Sequence, residues 1–369
     1  MKLHRMPLLV KRMIIEELGF VERLFLSFTS KRTCSLLRLF RNDFKVSIEM
    51  NIRTWEVSIR VRKLLYSLTE GISAINISSS ISNELKFDIP YKQSYLIGFS
   101  SWTTNTIYCG LIDKRAGRDT MSNSMIVFGK VLRHLNSVLN IEECRQCVFF
   151  TTLHVGLFCQ LDRDYSYGSI ETRTECIADA TPEDLTFLLD NIKAKRLSLN
   201  VTVPSPPAYK YRNNPEKKSS LDVLKIVHHS WVDFSDLPAA KAVSIEKKIQ
   251  MDQMNTMLQS WVAGRNRALE IGDFEIHRLM DMNREAIFNG LTRHETQLTE
   301  AEIESFFDFS QLSPNRKFLR CIVVVDIVRK CDGMRATVIE GRNISEPIRY
   351  MFVMVWSESN LRTIGRGNN

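Results

Sequence analysis

A chain of 369 residues, 44% apolar and 25% charged, has the composition of a folded protein long enough for two or three units. Its formal charge of +8 is a small difference between 50 basic and 42 acidic residues spread along the chain, so nucleic acid is not the expected partner. The eight cysteines form no short-loop framework and nothing at the N-terminus reads as a secretory signal, so reduced thiols in the cytoplasm and/or nucleus are expected.

Without such a signal, the Asn-x-Ser/Thr triplets at Asn76, Asn200 and Asn343 read as accidental. No apolar run reaches the roughly 18–20 residues of a membrane span, and no membrane partner is expected.

The first segment, MPLLVKRMIIEELGFVERLFLSFTSKRTCSLLRLF, has a helical period interrupted at Gly19 and again around Ser27 to Ser30, which predicts three short helices. Pro7 suits a first helical turn, where its missing N–H costs nothing. In the first helix Leu8, Leu9, Val10, Met13, Ile14, Ile15 and Leu18 are apolar, a wider arc than one core requires. Helices this short are marginal alone, so a second apolar face implies an obligate docking surface.

These residues resemble the F-box. Met6-Pro7, Val10, Ile14 and Leu18 stand at its Leu-Pro, aliphatic, Ile/Leu and Leu positions, and Glu22, Leu24, Leu26, Ser27, Ser30, Lys31 and Arg32 continue the pattern without a gap. Met6 replaces the usual Leu, Leu9 stands where an acidic residue is common, and Thr33 where many members carry Trp. The acidic Glu16, Glu17 and Glu22 and the break at Gly19 argue against a mitochondrial presequence. The resemblance implies docking to a Skp-type adaptor, and through it to a cullin. The expected adaptor-binding residues are Pro7, Leu8, Val10, Ile14, Leu18, Leu24, Leu26 and Ser27.

Beyond the helices the period changes to two: Trp55, Val57, Ile59 and Val61 alternate with polar residues, which predicts a half-buried strand. Glu84 to Ile89 and Gln93 to Ser100 read as further strands, and Arg115 to Ser124 as a polar loop. From about residue 125 helix and strand patterns alternate, with a helix over Thr181 to Ile192 and strands over Arg196 to Val203, Asp222 to His229 and Leu269 to Ile276. A helix over Met251 to Val262 ends at Gly264. The four-proline run Pro204 to Ser220 reads as an exposed loop. Leu319 to Val328, a turn at Asp332-Gly333, Arg335 to Ile339 and Tyr350 to Trp356 read as a hairpin with a further strand.

Together these give an α+β fold: a three-helix F-box bundle over residues 1–45, a β-rich connecting unit over 46–115, an irregular leucine-rich-repeat-like α/β target-recognition domain over 116–356, and a polar tail over 357–369. Ser230-Trp231-Val232, Ser260-Trp261-Val262, VVDIVRKCDGMRATV and MFVMVW, in that order, resemble the F-box-associated domain of the large nematode F-box family, which implies target recognition by this region.

Intrinsic chemistry finds little support. Cys144 and Cys147 with His134 and His154 lack standard zinc spacing, and adjacent His228 and His229 on a strand would point to opposite faces. There is no phosphate-binding glycine loop, nucleophile elbow or HExxH motif. No metal and no cofactor are expected. The expected function is that of a non-catalytic substrate adaptor of a ubiquitin ligase, with an unknown protein target for ubiquitin-dependent degradation. The alternative is a repeat-like protein-binding module outside any ligase.

Overall fold

A computed structural model describes residues 5–18, 22–23, 26–27, 30–40, 45–53, 56–63, 72–78, 86–87, 95–99, 106–111, 134–149, 167–172, 177–191, 194–206, 208–214, 221–276, 284–309, 319–343 and 349–366. The chain divides into two units, the first comprising Met1–Phe150 with His154–Arg173 and the second Thr151–Leu153 with Thr174–Asn369.

The first unit begins with helices α1 (Leu8–Glu17) and α2 (Lys31–Leu39), with residues 22–23 and 26–27 also helical between them. Strands β1 (Lys45–Arg53), β2 (Glu56–Lys63), β3 (Ile72–Ser78), β4 (Lys86–Phe87), β5 (Tyr95–Phe99), β6 (Thr106–Leu111), β7 (Asn140–Phe149) and β8 (Tyr167–Thr172) follow. They form a mixed sheet in the order β8-β7-β1-β2-β3-β6-β5-β4. Strands β1 to β6 lie within residues 45–111, and β7 and β8 extend the same sheet in parallel from β1.

The sequence of β1 and β2 explains their register. Both alternate apolar and polar residues, and the antiparallel pairing sets Ile48 opposite Val61, Met50 opposite Ile59 and Ile52 opposite Val57. The same register sets Glu49 opposite Arg60 and Arg53 opposite Glu56, so a slip by one residue would lose both the apolar and the opposite-charge matches.

The second unit holds β9 (Ala178–Asp179), α3 (Pro182–Asn191), β10 (Ala194–Leu199), β11 (Val201–Thr202), β12 (Val223–Ile226), β13 (Ala242–Ile249), α4 (Met251–Val262), β14 (Ile271–Ile276), β15 (His294–Glu295), α5 (Glu300–Phe309), β16 (Leu319–Val328), β17 (Arg335–Asn343), β18 (Arg349–Val355) and α6 (Glu358–Thr363). Strands β10, β12, β13 and β14 run parallel, and β14 passes to the antiparallel run β18-β17-β16-β15. In α4, Met254, Met257, Leu258 and Trp261 recur at the spacing of one helical stripe, and all four are buried. α4 ends as its sequence predicts: the Gly264 N–H bonds the Trp261 carbonyl and the Arg265 N–H bonds the Ser260 carbonyl, with Gly264 at φ 87°. A Cβ at Gly264 would sit 2.8 Å from the Cys331 Sγ.

Asparagines tie successive loops together. The Asn213 Nδ2 donates to the Asp236 Oδ1 at 2.9 Å and its Oδ1 accepts the Ala239 N–H at 3.0 Å, while the Asn266 Oδ1 accepts the Leu237 N–H at 2.9 Å. The Asn360 Nδ2 donates to the carbonyls of Glu270 at 3.0 Å and Val355 at 2.8 Å. Buried loop backbone must be hydrogen-bonded, and a short amide side chain satisfies a neighbouring loop without adding bulk.

The proline-rich run is exposed at Pro204, Ser205, Pro206, Ala208 and Lys210, as expected, but it is pinned at one residue. Tyr211 is buried, its hydroxyl donates to Asp190 at 2.7 Å and its N–H bonds the Trp231 carbonyl. Lys210 is exposed and donates to the carbonyls of Ser230 and Val232 at 2.8 and 3.0 Å. β12 ends at Ile226, so His228 and His229 lie in the turn after it rather than on the strand. Lys217 and Lys218 lie outside the described residues.

In the antiparallel region Leu298, Ile303, Phe306, Ile339, Phe352, Met354 and Ile364 form one apolar cluster. Next to it runs a relay of polar groups. The Trp356 indole donates to Thr337 at 2.9 Å, Thr337 donates to the buried Asp326 at 2.7 Å, and Arg335 bonds the same carboxylate at 3.2 Å while lying over the Trp356 ring. Arg366 also lies over that ring and pairs with Glu302, so the polar C-terminal residues are fastened to the start of α5. Arg366 holds the Glu302 carboxyl down to about 2.

Thr337→Val keeps the volume but removes the Thr337 bond to the Oδ1 of the buried Asp326 and the acceptor of the Trp356 indole N–H, and is expected to cost on the order of 1–3 kcal/mol in denaturant unfolding, with Thr337→Ser restoring most of it. Gly264→Ala is expected to cost about 1–2 kcal/mol or more by the same measurement, from the left-handed backbone before the contact with Cys331 is counted.

Candidate functional site: an apolar face on the first helix

α1 starts at Pro7, whose carbonyl accepts the Lys11 N–H at 3.0 Å as the first helical bond. One side of the helix faces inward: Ile15 is 1% exposed, while Ile14 and Leu18 are half-buried. On the opposite side Leu9 and Met13, one turn apart, are 69% and 58% exposed, while Leu8, on the Ile15 stripe but at the helix start, is 60% exposed. The exposed Arg12–Glu16 pair, at 2.6 Å, and the exposed Glu17 border this patch. An apolar patch with a charged rim is the pattern of an interface rather than of an ordinary surface.

The helix is held at its far end by a residue that apolar periodicity does not reveal. Arg23 is buried, and its guanidinium donates to the carbonyls of Leu18 at 3.0 Å and Glu16 at 3.3 Å. These are the last carbonyls of α1, which lack helical partners, and a cation there also complements the helix dipole. α2 is capped by Ser30, whose hydroxyl accepts the Thr33 N–H at 3.1 Å, and it buries Thr33, Cys34, Leu36 and Leu37.

A third element supports the pair. Residues 134–138 are helical, with Leu135, Val138 and Leu139 buried nearby. The Ser27 hydroxyl bonds the His134 Nε2 at 2.7 Å, and Arg38 donates to the Ser137 hydroxyl at 3.3 Å, which in turn donates to the His134 carbonyl at 2.7 Å. Burial, and then the positive charge of Arg38, push the His134 imidazole down to about 4, so it is neutral at physiological pH.

Of the residues expected to bind an adaptor, Pro7, Leu8 and Val10 lie exposed together at the start of α1. Ile14, Leu18 and Leu26 are half-buried, and Leu24 lies outside the described residues. Ser27 is 1% exposed and faces His134, so it is placed for support rather than for contact. Leu9 and Met13, the most exposed apolar side chains of α1 beside Leu8, were not among those expected, although the excess width of the apolar arc was the signal for them.

Cys144 and Cys147 lie on β7 and His154 lies outside the described residues. Among the described residues no group of His, Cys, Asp and Glu is arranged to hold a metal ion, and no helix is long and apolar enough to cross a membrane.

Residues 3–45 match the family model of the F-box domain. An F-box domain is therefore found on the segment that carries the exposed face. No curated protein and no solved structure matches the chain.

The held-neutral His134 has a consequence for stability. The unfolded chain takes up this proton near the ordinary value of 6.5 and the folded one only near 4, so acidification through that window favours unfolding. Thermal melts between about pH 7 and about pH 4.5 are expected to fall further for the wild type than for His134→Gln, which has no proton to gain. Equal losses would mean that His134 is not held neutral.

Proposed function

We propose that this protein is a substrate-recognition subunit of a Skp/cullin/F-box ubiquitin ligase. The observation that carries the reading is the coincidence of the F-box match over residues 3–45 with a helix that leaves Leu8 at its start and Leu9 and Met13 on its outward face exposed. F-box domains generally bind a Skp-type adaptor, and the apolar patch with its charged rim suits a standard interface of about 1,600 Å². In this reading Pro7, Leu8, Val10, Ile14, Leu18, Leu24 and Leu26 face the adaptor or shape the surface that does, Leu9 and Met13 are its anchors, and a cullin is reached through the adaptor.

The remainder of the chain receives the target in this reading. The order α3, β10, β12, β13, α4 and β14, with these strands parallel and asparagines bonding loop to loop, supports a leucine-rich-repeat-like, F-box-associated recognition layer. Shallow surface depressions lie among the loops at the N-terminal ends of these strands, bordered by Tyr211, Asn213, Pro238, Arg265 and Arg267. The chain contributes no bond-making step here. It raises the effective concentration of target lysines beside a charged conjugating enzyme, in the cytoplasm or nucleus.

The test is binding of the full chain to a purified Skp-type adaptor. Leu9→Asp/Met13→Asp is expected to weaken binding roughly 30-fold or more, since central apolar anchors are each worth about 2 kcal/mol. Ile177→Asp, at an exposed apolar residue of the second unit, is expected to leave binding unchanged. Equal binding by all three proteins, or none by the wild type, would refute the reading.

A further inference from the structure

We propose that the helical segment at residues 134–138 is a working part of the adaptor-docking unit, with His134 as a positioning residue that holds the F-box helices in their binding arrangement through Ser27. The inference rests on the docking reading above and extends it about ninety residues beyond the matched segment 3–45.

Three observations support it. First, α1 gains little from its own packing: Ile15 is its one buried side chain, Ile14 and Leu18 are half-buried, and Leu8, Leu9 and Met13 are exposed. Helices of this length are marginal without tertiary contacts, so whatever fixes their mutual placement governs how much of the population is competent to bind. Second, among the described residues two bonds from the F-box helices to a distant part of the chain meet one short segment. Ser27, in the helical turn between α1 and α2, meets His134 at 2.7 Å, and Arg38, in the last turn of α2, meets Ser137 at 3.3 Å. Third, these partners are themselves fixed. Ser137 bonds the His134 carbonyl, and Leu135, Val138 and Leu139 are buried, so the segment is anchored rather than a loose strap.

Ser27 and His134 also separate support from contact. Ser27 is 1% exposed, so an adaptor cannot reach its hydroxyl, and any effect of that hydroxyl on binding must pass through the position of the helices. The neutral imidazole can accept from or donate to Ser27 at Nε2, and a glutamine amide can make the same bond.

The test uses the full chain and a purified Skp-type adaptor, with affinity and melting temperature measured on each variant. His134→Leu is expected to weaken adaptor binding about three- to tenfold, the range of one hydrogen bond. His134→Gln is expected to bind within about twofold of the wild type. Ser27→Ala is the gentler second variant, should His134→Leu not fold. It is expected to lose a similar factor, and combining it with His134→Leu should add little, because both remove the same bond. Wild-type binding that His134→Leu and Ser27→Ala leave unchanged overturns this inference alone. Losses that His134→Gln does not rescue also overturn it, since they would be packing effects. Absence of wild-type binding overturns the docking reading and this inference with it.

Discussion

Helix α1 carries apolar side chains around more of its circumference than one core can cover. A helix needs about one stripe to hold it to a protein, and here that stripe is used up by Ile15 with the half-buried Ile14 and Leu18. The remainder, Leu9 and Met13 on the opposite side and Leu8 at the helix start, stays exposed. Leaving such residues in water costs about 1.5–3 kcal/mol each relative to burial, which is a reason for the face to be met by a partner. The F-box match over residues 3–45 and the charged rim of the patch then have a common physical explanation.

Because that face is kept open, α1 and α2 have to be fixed by other means, and polar devices do it. Arg23 closes the C-terminal carbonyls of α1, Ser30 caps α2, and Ser27 and Arg38 reach the segment at 134–138. Each is directional, so it fixes orientation without covering the apolar surface. The second unit uses the same economy on a larger scale. Asn213, Asn266 and Asn360 satisfy neighbouring loops, and the relay from Trp356 through Thr337 to Asp326 fixes the antiparallel strands beside an apolar cluster.

Much of this was legible in residue patterns. α4 over Met251–Val262 and β16 over Leu319–Val328 have the bounds that their periodicity and stop signals predict, and the turn at Asp332-Gly333 is there, with Gly333 at φ 71°. β13 was not read, because its buried run AVSI followed by EKKI has neither a clean alternation nor a helical period. α5 was missed although Thr299 and Glu302 form the reciprocal cap of a helix start, with Thr299 N–H to Glu302 at 2.7 Å and Glu302 N–H to Thr299 at 3.3 Å. The docking of Tyr211 in a proline-rich run was hidden for a different reason: its partners, Asp190 and Trp231, are brought to it only by the fold. The same holds at the N-terminus. The apolar arc of α1 is visible in the sequence, whereas the bond between Ser27 and His134 joins residues 107 apart and no local pattern encodes it.

Hydrogen–deuterium exchange of the full chain, with and without a purified Skp-type adaptor, tests the central claim most directly. The account predicts new protection confined to α1, α2 and the turns between them, with amides of the second unit unchanged. Unchanged exchange across residues 7–40 at saturating adaptor, or protection that appears only in the second unit, would contradict it.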